Sequence, residues 1–177
     1  MIFGKINGAV LYILLMSAMT LNGCGSHDHD HDHGHHGSDD EISTGCHHIE
    51  AGRVVTLSGS SDDPQQVSGH LRYDIELQSD SDGSDAFSGQ VVYLSPGGTH
   101  YLLFKDLVTV VLTDENGQTV EPSQTDNDGT VNGCPDARAL TVADLPAGEY
   151  TIDIETTMSP TVEFTIHRAG DSHDHDH

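Results

Sequence analysis

Two short runs carry most of the potential chemistry of this chain. The first reads His27-Asp28-His29-Asp30-His31-Asp32-His33-Gly34-His35-His36, the second Asp171-Ser172-His173-Asp174-His175-Asp176-His177, and together they hold nine of the 14 His among 177 residues. Neutral imidazole is the commonest side-chain ligand for Zn, Cu and Ni. In an extended chain, residues i and i+2 lie on one side about 6.5–7 Å apart. Two such rings can turn onto one ion, and a pliant backbone can close three or four around it. The interleaved Asp carboxylates can add ligands or accept the distal ring N–H, and their field concentrates dications. The predicted ligands are therefore His27, His29, His31, His33, His35, His36, His173, His175 and His177. Zn(II) is the expected ion, with Cu(II) and Ni(II) as alternatives; in raw affinity Cu(II) leads. Ordering a flexible residue costs roughly 1–2 kcal/mol, so affinity should be moderate. Protons compete for imidazole, so binding should weaken as pH falls through about 6–6.5.

The other His are at 47, 48, 70, 100 and 167. Cys46-His47-His48 opens the expected folded region, and His70 and His100 begin predicted strands. If the ends of those strands meet, His47 or His48 with His70 and His100 would form a tighter, structured metal site. His167, beside Arg168, is given no role. Cys46 and Cys134 are expected to form a disulfide closing a loop of 88 residues, worth roughly 4–5 kcal/mol in the chain-entropy picture. The alternative pairs their thiolates with His47 and His48 in a soft-metal site. Two acidic turns, Asp80-Ser81-Asp82-Gly83-Ser84-Asp85 and Asp126-Asn127-Asp128-Gly129, have the oxygen ligands and bend glycine that suit Ca²⁺, without a downstream bidentate Glu.

Charge narrows the function classes. The chain has 29 Asp+Glu against 6 Lys+Arg, a formal net charge of -23. Nucleic-acid binding needs clustered Lys and Arg, which are absent, and anionic lipid would repel such a surface. No G-x-S-x-G, H-E-x-x-H, phosphate-cradling loop or Cys/His catalytic set is present, so no enzyme is expected.

The N-terminus carries Lys5 and then an apolar stretch from Ala9 to Leu21. That stretch is shorter than the roughly 20 residues a membrane span needs and fits a secretory signal peptide over residues 1–23. The following Leu21-Asn22-Gly23-Cys24 resembles a bacterial lipobox. The resemblance implies cleavage before Cys24, lipidation of that residue and, with Gly25-Ser26 next, an outer-membrane address. Residues 24–45 read as a His/Asp-rich disordered linker with Ile42 its one aliphatic side chain, and residues 170–177 as a similar tail.

Residues 46–169 show period-2 alternation, clearest in His70–Leu77, where Leu71, Tyr73, Ile75 and Leu77 should face a core. Further strands are expected over 53–58, 89–94, 100–105, 107–113, 137–142, 149–155 and 161–168. Ser95-Pro96-Gly97-Gly98, Asp114-Glu115-Asn116-Gly117 and Leu145-Pro146-Ala147-Gly148 should be turns, with Asn116-Gly117 closing a hairpin. The expected fold is all-β: a single antiparallel, jelly-roll or Ig-like sandwich of eight or nine strands. The segments Val111–Gly117, Leu145–Ile152 and Val162–Ile166 resemble bacterial pre-peptidase C-terminal-type domains, which implies a small secreted sandwich.

The run over residues 27–36 is similar to the His-rich loops of periplasmic zinc-handling proteins, including zinc-uptake solute-binding proteins. On these grounds the chain is expected to be an envelope lipoprotein that buffers, scavenges or chaperones metal ions. Its expected partners are the membrane, through the lipid, and a metal transporter or apo-metalloprotein. The alternative is a non-catalytic interaction or adhesion sandwich that uses the tails as a tether.

Overall fold

Alternating apolar residues build two sheets that share one core. The computed structural model describes residues 38–80 and 85–171. The signal segment, Cys24, His27 to His36 and His173, His175 and His177 lie outside those residues. The strands are β1 (Val54–Ser58), β2 (Gln65–Val67), β3 (Arg72–Glu76), β4 (Gln78–Ser79), β5 (Phe87–Ser95), β6 (Gly98–Phe104), β7 (Thr109–Asp114), β8 (Thr119–Val120), β9 (Gln124–Asp126), β10 (Ala139–Leu145), β11 (Gly148–Thr156) and β12 (Thr161–Arg168). The first sheet runs β1-β3-β12-β6-β10-β9; the second runs β2-β5-β11-β7-β8, with β4 also on β5. Tyr73, Ile75, Leu102, Phe104, Phe164 and Ile166 of the first sheet meet Val91, Tyr93, Leu112, Ile152 and Ile154 of the second.

The fold is thus the all-β sandwich expected. Its eight long strands match the eight expected segments, β8 is the short second arm of the expected hairpin, and the additions β2, β4 and β9 are pieces of two or three residues. Most pairs are antiparallel, but β1 with β3 and β2 with β5 are parallel. The reason is topological. After β1 the chain crosses to the second sheet for β2, then returns for β3 beside β1, and a crossover of that kind aligns its two ends. Asn116-Gly117 does close a hairpin: Leu112 faces Val120, and Gly117 takes a φ of 76°, which glycine adopts freely.

One expectation fails in part. Over residues 38–45 the expected linker is instead the start of helix α1 (Ser38–Ala51), and residues 24–37 lie outside the described set. Three acids, Asp39, Asp40 and Glu41, stand in its first turn, where the helix dipole favours negative charge. Ile42, Cys46 and Ile49 fall on one face and are buried. They pack on Tyr101, Leu103, Leu140 and Val142, on the side of the first sheet away from the second. The central strands of that sheet are therefore covered on both faces, and Tyr101 to Phe104 are all buried. Gly45 lets the helix sit close: a Cβ there would lie 2.6 Å from Leu103 Cδ1 and 3.5 Å from His167 Cβ.

Cys46 and Cys134 form the disulfide, across 88 residues, so they are not thiolate metal ligands. The bond fastens α1 to the segment 131–137, where Val131, Cys134 and Ala137 join the same helix-side cluster.

Candidate metal centre

The register of β6 and β12 decides which histidines can meet. Tyr101 pairs with His167 and His100 with Arg168, so His100 and His167 stand on opposite faces of the first sheet. His167 faces α1, which brings His48 from its last turn. His70 precedes β3 with a φ of 64°, the left-handed region that a side-chain-bearing residue enters at a cost of roughly 1–2 kcal/mol. Its amide donates to the Ile166 carbonyl at 3.1 Å, next to His167 in sequence. The ring centroids lie at 5.2 Å for His48–His70, 5.7 Å for His70–His167 and 6.1 Å for His48–His167. One nitrogen from each ring falls within 4.8 Å of the other two, a spacing able to hold a metal ion.

Two carboxylates fix how the rings present themselves. His167 Nε2 lies 2.7 Å from Glu41 Oε2, and His70 Nε2 lies 3.1 Å from Asp171 Oδ2. A carboxylate only accepts, so each Nε2 donates, and in a neutral imidazole so oriented Nδ1 is the nitrogen that can ligate. This is the arrangement that orients metal-ligating imidazoles. Glu41 is itself held, because its Oε1 accepts the Gly170 amide at 3.0 Å. His70 Nδ1 is 3.3 Å from His48 Nε2. That separation suits a shared proton, and it is also about the N···N edge of a tetrahedral Zn–imidazole site with bonds near 2.0–2.1 Å.

The group that could hold a metal differs in membership from the structured site expected from the sequence. His48 and His70 belong to it. His167, given no role on sequence grounds, supplies the third nitrogen. His47 is exposed on the other side of α1. His100 points into the sandwich, edge-on to Tyr93 at 5.3 Å, with Nδ1 donating to the Gly98 carbonyl at 2.8 Å and Nε2 3.5 Å from Ser95 Oγ. The chain matches no protein-family model and no curated protein.

The acidic turns do not converge in this way among the described residues. Asp128 Oδ1 accepts from the Thr130 amide and hydroxyl, Asp126 Oδ2 from Gln124, and Asp80 Oδ1 from Ser88. Residues 81–84 of the first turn lie outside the described set.

Burial pushes the His100 imidazole below its usual 6.5, helped by the Arg168 charge and opposed by the Gly98 hydrogen bond. The unfolded chain therefore takes up this proton at a higher pH than the folded one. Full stability is present above that value and is lost as pH falls below it. Urea midpoints of metal-free protein should drop between about pH 7.5 and 5.5. His100→Gln should lessen that drop, and an unchanged pH dependence would assign it to other groups.

Proposed function

We propose that this chain is a lipid-anchored envelope protein that binds a transition-metal dication, zinc foremost, and acts as a non-catalytic buffer or scavenger. The observation that carries this reading is the convergence of His48, His70 and His167, two of them backed by carboxylates. Three imidazoles match the donor set zinc prefers, and hard cations such as Ca²⁺ or Mg²⁺ prefer oxygen. In this reading the His/Asp runs over 27–36 and 173–177 capture ions at moderate affinity, and the folded site holds one more tightly. Cys24 carries the lipid that keeps the acidic body at the membrane.

The test is the metal content of protein isolated from its native envelope. One tightly held zinc per chain, resistant to washing with a weak chelator, is the expected result. Protein isolated without transition metal and indifferent to added Zn(II), Cu(II) and Ni(II) would overturn the reading in favour of an interaction module. In the same fractionation, Cys24→Ser should move the chain from the membrane to the soluble fraction.

A further inference from the structure

Three imidazoles leave a tetrahedral dication one position short. We infer that this position takes an exchangeable neutral donor from outside the chain, an imidazole in preference to an anion, and that Glu41 and Asp171 impose the preference. The inference rests on the metal reading of the His48/His70/His167 cluster and names the chemistry through which that site passes its ion on.

The two carboxylates beside the cluster are already committed. Glu41 Oε2 accepts from His167 Nε2 at 2.7 Å and its Oε1 from the Gly170 amide at 3.0 Å. Asp171 Oδ2 accepts from His70 Nε2 at 3.1 Å, and its Oδ1 accepts from Arg168 Nη1 at 3.4 Å. Among the described residues, no fourth His, Cys, Asp or Glu joins the converging group. His167 is 0% exposed and His48 9%, whereas the side chains of His70 and Asp171 are 38% and 31% exposed. An incoming donor therefore approaches past His70.

Charge chooses the donor. An ion on the Nδ1 atoms of His70 and His167 would lie roughly 6 Å from each carboxylate, one ring and two contacts away. That is within the Debye length of about 8 Å at physiological salt, so two negative charges largely offset the two positive charges of the ion. Arg168 returns part of the charge of Asp171, but its side chain is 39% exposed and screened by water. Glu41, only 16% exposed, is the stronger determinant. An anion in the fourth position would add an uncompensated charge beside these carboxylates, and like charges at this range repel. A neutral donor adds none. Among neutral side chains, amide oxygens bind zinc poorly, thioethers suit Cu(I), and lysine amines are protonated at neutral pH, which leaves imidazole. A partner with a His-built metal site could thus place its first ring on the ion before any of the three bonds here breaks. An acceptor that leads with a thiolate or carboxylate would meet the repulsion.

Co(II), a coloured stand-in for zinc, tests this in the full chain at half an equivalent, where the tightest site fills first. The visible band that His167→Gln removes belongs to the folded site. Free imidazole should shift that band in the wild type, and azide should need a concentration at least about tenfold higher. Glu41→Gln keeps the shape and removes the charge, so it should tighten azide about tenfold and leave imidazole nearly unchanged. Asp171→Asn, at the more exposed rim, should act in the same direction to a smaller extent, in a variant whose folding does not depend on a buried contact. If Glu41 and Asp171 only oriented the rings, both variants would weaken cobalt and leave the ratio of azide to imidazole as in the wild type, which would overturn the inference. Azide binding more tightly than imidazole in the wild type, or a band that neither ligand moves, would overturn it as well. In each of those cases the loss of the band in His167→Gln keeps the folded site standing. If His167→Gln leaves the visible spectrum intact, the metal reading itself falls.

Discussion

His167→Gln is expected to weaken zinc binding at the proposed His48/His70/His167 site by at least about 100-fold, since removing even an outer-sphere partner of a metal ligand typically costs 10–100-fold. Gln is chosen because its amide N–H can still donate to Glu41, so the 2.7 Å contact of the buried ring is replaced instead of stranded. Its carbonyl is a poor zinc ligand beside imidazole. Competition with a chromophoric chelator measures the affinity directly. Thermal unfolding gives a second reading: zinc at about 100 times its dissociation constant adds about 2.7 kcal/mol to the wild type, roughly 5–15 °C for a domain of this size. The variant should keep a cooperative transition and lose that zinc-dependent rise. An undiminished rise would mean that zinc stabilises the molecule from somewhere other than this cluster.

The sandwich was legible because its inner faces alternate. Tyr73 and Ile75 face the core and Arg72, Asp74 and Glu76 do not, and the turn residues between strands are Gly, Pro and Asn. The helix was hidden by composition. Ile42, Cys46 and Ile49 at i, i+4 and i+7 are too few to stand out beside a His/Asp run, and no long stripe of period 3.6 exists. Two signals for it were present. Ser38-x-x-Glu41 is the spacing of a helix start, although Glu41 turns out to reach β12 and not its own helix end. Tyr101-Leu102-Leu103-Phe104 is apolar on both faces, which requires a second covering layer.

The histidine cluster was half legible for a related reason. His48 and His70 could be singled out by position, but choosing between His100 and His167 needed the register of two strands distant in sequence. Strict alternation along β12 does place His167 opposite to Ile166 and Phe164, away from the inter-sheet core. With α1 unrecognised, a buried partner for His167 on that face was not in view.

Removing the disulfide with Cys46→Ala/Cys134→Ala should lower stability by about 4–5 kcal/mol, the chain-entropy figure for a closed loop of this length. Thermal unfolding should fall by roughly 10–20 °C. The proposed zinc site should suffer as well, because α1 carries both His48 and the Glu41 that orients His167. A helix of 14 residues is marginal on its own, and among the described residues this one buries only Ile42, Cys46 and Ile49 as apolar side chains larger than alanine on the sheet. Its partner segment is no sturdier, held by the Cys134 amide on Val131 and the Ala137 amide on Cys134. Without the covalent link, the native ensemble should include molecules with α1 lifted, and zinc must then supply the free energy of redocking it. About tenfold weaker zinc binding corresponds to 1.4 kcal/mol of such redocking. The relation also runs the other way: zinc should restore part of the lost stability, since each linkage holds the same helix. If the double variant melts lower but binds zinc as tightly as the wild type, burial alone keeps α1 docked and the disulfide acts only on the unfolded chain. If it melts at the wild-type temperature, the bond does not stabilise the fold at all. Oxidised wild type treated with a dithiol reductant gives the same comparison without any change of sequence, and a free-thiol count verifies that the bond has opened.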